Sequence, residues 1–192
     1  MKELDMKDIA ILDAFPTYNW NQDILEVGCG DGKLDFHLWS KGFRVYATDI
    51  QKYDTWQDEK NLSFYIADIF DLSSFQIKSA SVVIASQVLE HLPGWKLALV
   101  HLIALASVRV IITVPHRRSF FSPEHVNFWA DELLEAMPDY LPSHTSYKDI
   151  HEFVDLCAPY SVTISKIRTK PQDVGDTYDY LMVIDKRQNQ ME

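Results

Sequence analysis

The sequence predicts an α/β protein built on a seven-stranded, mostly parallel sheet with helices on both faces and a C-terminal antiparallel hairpin. Three observations predict it. Short β-rich runs alternate with helical patterns, a glycine turn joins the first run to a helix, and the last two apolar runs have no helix between them. At 192 residues, with 47% apolar and 24% charged side chains, the chain suits one domain with its own core. No repeat or Gly/Ser linker divides it.

Asp23 to Val27 reads as the first strand, ended by the turn Gly28 to Gly32, and Lys33 to Lys41 as a helix closed by Gly42. Phe43 to Thr48 is the second strand, ending at Asp49. Leu62 to Ala67 is the third, ending at Asp68, and Ala80 to Ala85 the fourth, followed by Ser86. Gly94 to Leu105 has helical spacing. Arg109 to Val114 is a β-branched fifth strand that Pro115 stops. This alternation reads as five βα units. Beyond it, Asn127 to Met137 and Tyr147 to Leu156 are helix candidates. Ser161 to Ile167 and Tyr178 to Ile184 form the hairpin, joined by a polar connection, Arg168 to Thr177.

Charge and cysteine content narrow the partners. With 18 Lys and Arg against 28 Asp and Glu the net charge is -10, which disfavours extended nucleic acid as a ligand. Cys29 and Cys157 lie far apart and read as reduced thiols of an intracellular protein. Met1 to Phe15 is acidic and does not have the pattern of a secretory signal. His101, Ser107 and Arg109 interrupt the apolar stretch Leu97 to Val114, so it divides into a helix and a strand rather than spanning a membrane. The expectation is a cytoplasmic protein with no membrane partner.

Glu26-Val-Gly-Cys-Gly-Asp-Gly32 sits between a strand and a helix, where glycines let the backbone turn sharply and approach a ligand. A dinucleotide fingerprint needs a further glycine where this chain has Lys33, so a nicotinamide-dependent reductase is a weak alternative. Asp49 and Asp68 end successive strands. A carboxylate at the first position can accept both hydroxyls of a ribose, and one at the second can take an adenine amino group. Together they favour an adenosine ligand.

These motifs resemble those of the class I S-adenosylmethionine-dependent methyltransferases, in particular the small group with Leu-Glu-His-Leu-Pro after strand four. The resemblance runs from about Ile24 to Met137. It rests on Leu-Glu-Val-Gly-Cys-Gly-Asp-Gly (25–32), Thr-Asp-Ile (48–50), Ala-Asp-Ile-Phe (67–70), Ala-Ser-Gln-Val-Leu-Glu-His-Leu-Pro (85–93) and Ile-Thr-Val-Pro (112–115). It implies a Rossmann-like fold with S-adenosylmethionine as cofactor. By resemblance, Glu26 and the backbone of Gly28, Cys29 and Gly30 face the methionine end; Asp49, with Ile50 beside it, faces the ribose. Asp68 and Ile69 face the adenine, and Ser86 or Gln87 the sulfonium side. The acidic balance fits a cationic donor.

Glu90 and His91 follow strand four at the lip where an acceptor must sit, and imidazole titrates near neutrality, as a general base requires. His125, after strand five, is expected at the same mouth. The other reading of His91 is a brace for the following helix. Gln87, Glu90, His91 and His125 are also similar to the Glu-x-x-Glu-His plus later His of metal-dependent methyltransferases. Gln87 stands where a carboxylate is expected, so an unmetallated His pair is preferred and Mg²⁺ is the alternative. Phe120 and Phe121 are acceptor-wall candidates, whereas Phe128 and Trp129 fit the core better. His116-Arg117-Arg118 suits either an anionic acceptor or a solvated loop.

The domain expected is therefore 1–192, with 1–22 as an N-terminal segment and 115–160 forming most of the acceptor pocket. The expected function is methyl transfer to a small molecule or glycan, to oxygen, by in-line displacement. The alternatives are a metal-dependent RNA 2′-O-methyltransferase and a non-catalytic cofactor-binding protein. The sequence leaves the oligomeric state open.

Overall fold

The computed structural model describes residues 3–15, 22–115, 150–172 and 175–186. The seven expected strands are present: β1 (Asp23–Val27), β2 (Arg44–Asp49), β3 (Leu62–Ile66), β4 (Ala80–Ser86), β5 (Ala106–Pro115), β6 (Ser161–Gln172) and β7 (Gly175–Asp185). They form one sheet in the order β3-β2-β1-β4-β5-β7-β6. β1 to β5 pair in parallel, and β7 runs antiparallel to both β5 and β6. The order reverses between β1 and β4, which opens a crevice at their carboxyl ends.

The two sheet faces bury different sets of side chains because alternate residues of a strand point to opposite sides. Leu25, Val27, Val83, Ala85, Val110 and Ile112 face one core layer with Leu99 and Leu102 of α3 (Trp95–Leu105) and Phe153 of α4 (Ile150–Cys157). Ile24, Val82, Ile84 and Ile111 face the other, with Ile11 of α1 (Met6–Asp13) and Leu34 and Leu38 of α2 (Lys33–Ser40). Burial on both faces explains why β1 and β4 read as near-continuous apolar runs. Lys186 closes the apolar layer, its Nζ donating to the carbonyls of Ile103 and Ala106 at the end of α3.

Several boundaries differ from the sequence reading. Among the described residues only β1 and β4 of the parallel strands are followed by an α-helix; β3 leads to a 3-10 turn at Leu72–Ser74, and 50–61 forms no helix. The run Gln51 to Lys60 is polar apart from Tyr53 and Trp56, too few aromatic or apolar positions to form a stripe for a helix to bury. β5 begins at Ala106, directly after α3. The polar connection Arg168 to Thr177 is mostly strand, since Arg168 pairs with Tyr178 and Gln172 with Gly175. Edge-strand β6 has β7 on one side only, so ladder hydrogen bonds hold polar residues there without requiring burial. α1 is an additional element. Asp5 accepts from the backbone of Lys7 and Asp8 while Asp8 accepts from Asp5, a capping box that starts the helix. The helix candidate Asn127 to Met137 lies outside the described residues.

Candidate functional site

The turn after β1 is tied to β2 before any ligand is considered. The amides of Gly28 and Cys29 both donate to the Thr48 carbonyl, at 2.7 and 2.9 Å, and the Thr48 hydroxyl donates to the Glu26 carbonyl at 2.9 Å. Gly28 has φ +78°, and a Cβ there would stand 2.3 Å from Cγ2 of Val88, so only glycine lets the loop after β4 lie on this turn. Gly30, at φ +53°, is different: a Cβ there would meet nothing within 4 Å. The backbone at Gly30 is left-handed and faces open space, the approach a bound nucleoside needs.

Asp49 reaches across to this turn. Its Oδ2 accepts from the Gly30 amide at 3.0 Å, while Oδ1 accepts from the Gln51 amide at 3.3 Å. Ile50, beside it, is 71% exposed. Asp68, two residues after β3, is half-buried, and its Oδ1 accepts from the Phe70 amide at 2.9 Å, shaping the next turn. Ile69 packs into the apolar layer, and its carbonyl lies 2.6 Å from His101 Nδ1.

Beneath the turn lies a buried acid pair. Glu26 (4% exposed) and Asp35 of α2 (0%) are in hydrogen-bond reach of each other. Burial raises the Glu26 carboxyl well above the usual range, and the adjacent Asp35 raises it further. Burial likewise pushes Asp35 up to about 7. Glu26 Oε2 and both Asp35 carboxylate oxygens have no other hydrogen-bond partner. At the edge of this cluster Lys33 Nζ pairs with Asp8 Oδ2 at 2.5 Å and with Asp5 Oδ2 at 3.1 Å, which pins α1 against α2. Cys29, within the turn, is buried, and its thiol is raised by burial and by Asp35, Glu26 and Asp49.

The end of β4 forms the opposite wall. Ser86 Oγ and Thr113 Oγ1 are 2.9 Å apart, and the Gln87 side-chain amide donates to Thr113 Oγ1 at 3.3 Å. Gln87 has φ +57°, a conformation costly for a residue with a Cβ, and its amide donates to the Thr113 carbonyl at 2.9 Å. In the 3-10 turn Leu89–His91 that follows, Glu90 turns inward, with a side chain 1% exposed. His91 turns outward at 49%, with its Nε2 3.9 Å from Glu90 Oε1.

The structure thus brings Glu26, Gly28, Cys29, Gly30 and Asp49 together at one turn, with the loop carrying Gln87 to His91 packed on it through Val88. His125, Phe120, Phe121, Phe128, Trp129 and the cluster 116–118 lie outside the described residues. Among the described residues no group of three His, Cys, Asp or Glu side chains is arranged to hold a metal, and Gln87 directs its amide to Thr113. The candidate set of Gln87, Glu90, His91 and His125 has its last member outside the described residues.

Sequence reasoning missed three contributors. Asp35 was detectable as an acid three residues before Leu38, on the helix face that should be apolar. Trp56 donates from Nε1 to the Gly30 carbonyl at 2.8 Å and stacks on Phe64, and Thr55 donates to the Asp31 carbonyl at 2.8 Å. These come from a loop without periodicity, and no local pattern marks them.

The family description "Methyltransferase domain" matches residues 25–103. No curated protein sequence matches the chain. Among solved structures, the chain is similar to a putative S-adenosylmethionine-dependent methyltransferase from Listeria monocytogenes, with TM-score 0.67 and 13% identity, covering 95% of this chain and 98% of that one. It is also similar to magnesium protoporphyrin IX methyltransferase from Synechocystis with bound S-adenosylhomocysteine, with TM-score 0.62 and 17% identity over 93% of this chain and 80% of that one. A third is 1,6-didemethyltoxoflavin-N1-methyltransferase from Burkholderia thailandensis, crystallised with 1,6-didemethyltoxoflavin and S-adenosylhomocysteine; it has TM-score 0.59 and 16% identity over 86% and 71% of the two chains. At these identities the likeness is one of fold, and the family match is confined to residues 25–103. Residues 25–103 thus match the methyltransferase-domain family, and they lie within a seven-stranded, Rossmann-like sheet shared with solved S-adenosylmethionine-dependent methyltransferases.

Proposed function

We propose that the enzyme methylates an oxygen of a small-molecule or glycan acceptor, with the donor held by the β1 turn and the acceptor beside His91. The observation that carries this reading is the contact of Val88 with Gly28, which sets the His91 loop directly on the glycine turn. Donor methyl and acceptor hydroxyl then meet across the β1/β4 crevice. The cofactor fits the residues present: open space over Gly30, an acceptor carboxylate at Asp49 and an unpartnered buried carboxyl oxygen, Oε2, at Glu26. When bound, S-adenosylmethionine supplies a methyl group activated by a sulfonium.

Each residue has a distinct task. Asp49 keeps Oδ2 on the Gly30 amide and offers its carboxylate edge to ribose hydroxyls. Glu26 faces the amino-acid end. Asp68 stands at the adenine side, with its Oδ1 shaping the turn there. Ser86 and Gln87 lie beside the sulfur, held in place by Thr113. The acceptor oxygen attacks the methyl carbon as the carbon–sulfur bond breaks, and His91 takes the hydroxyl proton on Nε2. Because cationic charge on the donor disappears in this step, alignment of nucleophile, methyl and sulfur does most of the work and can supply roughly 7–11 kcal/mol of the barrier. No helix among the described residues is long and apolar enough to cross a membrane. A net charge of -10 favours a neutral or compact acceptor over a polyanion.

The test is turnover against a panel of hydroxylated small molecules and glycans, with the His91→Ala variant alongside. Methylated oxygen in the product, with at least tenfold slower turnover and unchanged donor affinity in the variant, supports the reading. Methylation at nitrogen or carbon, or equal turnover, refutes it.

A further inference from the structure

Two buried carboxyl groups side by side are an expensive way to fill space, since apolar residues of similar volume at such positions are often as stable or more so. Here both carboxyls come from elements that meet beneath the glycine turn, Glu26 at the end of β1 and Asp35 in the first turn of α2. Glu26 Oε2 and both Asp35 oxygens find no donors among the described side chains apart from the paired carboxyl. Around the pair stand Asp8 of α1, Lys33 of α2 and Asp31 of the turn. Lys33 is already engaged by Asp8 and Asp5, so it does not neutralise the pair fully. Among the described residues the glycine turn above the pair has open space at Gly30, where a Cβ would meet nothing within 4 Å.

We propose that Asp35 is a positioning residue for donor binding: in the free protein Asp35 and Glu26 hold a proton between them, and docking of the donor's α-ammonium against Glu26 expels that proton to solvent. This rests on the reading that the glycine turn binds the donor. The balance is simple, with one ammonium gained by the site and one proton lost to buffer. Asp35 matters because it keeps Glu26 protonated and oriented until the ammonium replaces the proton. The product S-adenosylhomocysteine carries the same ammonium and behaves alike, whereas 5′-methylthioadenosine has no amino acid and leaves the proton in place.

Calorimetric titration of the full chain with S-adenosylhomocysteine at pH 6.5, in phosphate and in Tris, reads the proton directly through the difference in buffer ionisation heat. The expected result is release of about one proton per ligand bound, and an affinity that rises up to about tenfold between pH 6 and 7 and levels off toward pH 8. Methylthioadenosine should give the same heat in both buffers. In Asp35→Asn the pair loses one carboxyl and its repulsion of Glu26, so proton release per ligand should fall and the affinity should vary less steeply with pH. A purely structural role for Asp35 would lower thermal stability without altering the buffer dependence. If Asp35→Asn does not fold, the wild-type contrast between the two ligands still decides. Binding of S-adenosylhomocysteine with equal heats in both buffers overturns the proposal and leaves the donor site standing; no binding at all overturns both.

Discussion

The two faces of the sheet solve different problems. On the side of α3 and α4, the strands bury an almost wholly apolar layer in which Leu99, Leu102, Val110 and Phe153 are fully enclosed. On the side of α1 and α2, the layer is interrupted by Glu26, Asp35, Asp8 and Asp179, each less than a tenth exposed. The first arrangement supplies cohesion, because removal of apolar area from water stabilises without requiring partners. The second costs stability, since burial raises Glu26, Asp35 and, to about 6, Asp179. The charged groups concentrate under the turn that follows β1, the turn proposed to hold the donor.

Mutations should separate these roles. Leu99→Ala on the apolar side should remove about 2–5 kcal/mol of stability, measured by urea unfolding, while the folded fraction binds S-adenosylhomocysteine normally. His91→Ala at the rim should slow turnover by roughly 10²-fold or more with little change in melting temperature. Asp49→Ala should weaken S-adenosylhomocysteine by roughly 10- to 100-fold in calorimetry, because charged hydrogen bonds to the ligand and to Gly30 are lost together. Lys33→Met should cost about 1 kcal/mol and loosen α1, read as faster amide exchange over 6–13, since Lys33 is partly exposed and its ion pairs are screened. If Leu99→Ala changed ligand affinity as much as Asp49→Ala, the division between the faces would fail.

The acid pair also gives this comparison a pH signature. Carboxyls raised in the folded state bind more protons folded than unfolded between about pH 4 and the folded value, which for Asp35 is about 7. Stability from this pair is therefore present at low pH and declines as pH rises through that window. Melting temperature against pH should fall less steeply in Asp35→Asn than in the wild type.

What the sequence discloses follows the same division. The strands of the apolar layer are legible because a strand buried on both faces must be a run of Val, Ile, Leu and Ala, as at Ala80–Ser86. The crevice is legible because Asp49 ends β2, Asp68 follows β3 closely and Gly28 must lack a side chain. Asp35 escapes notice because an acid in a short helix ordinarily faces water, and only the contact with Glu26 reveals otherwise. α1 escapes because its capping acids, Asp5 and Asp8, also read as a solvated acidic run. The extension of β6 and β7 through residues 168–177 is hidden for a related reason: edge ladders are held by backbone bonds that carry no side-chain pattern.

The most direct test is a crystal structure of the protein with S-adenosylhomocysteine. The account predicts ribose hydroxyls on the Asp49 carboxylate, the homocysteine ammonium toward Glu26, and the sulfur facing the side of the crevice where His91 stands. A nucleoside bound elsewhere, with Asp49 bonded only to the protein backbone, would contradict it.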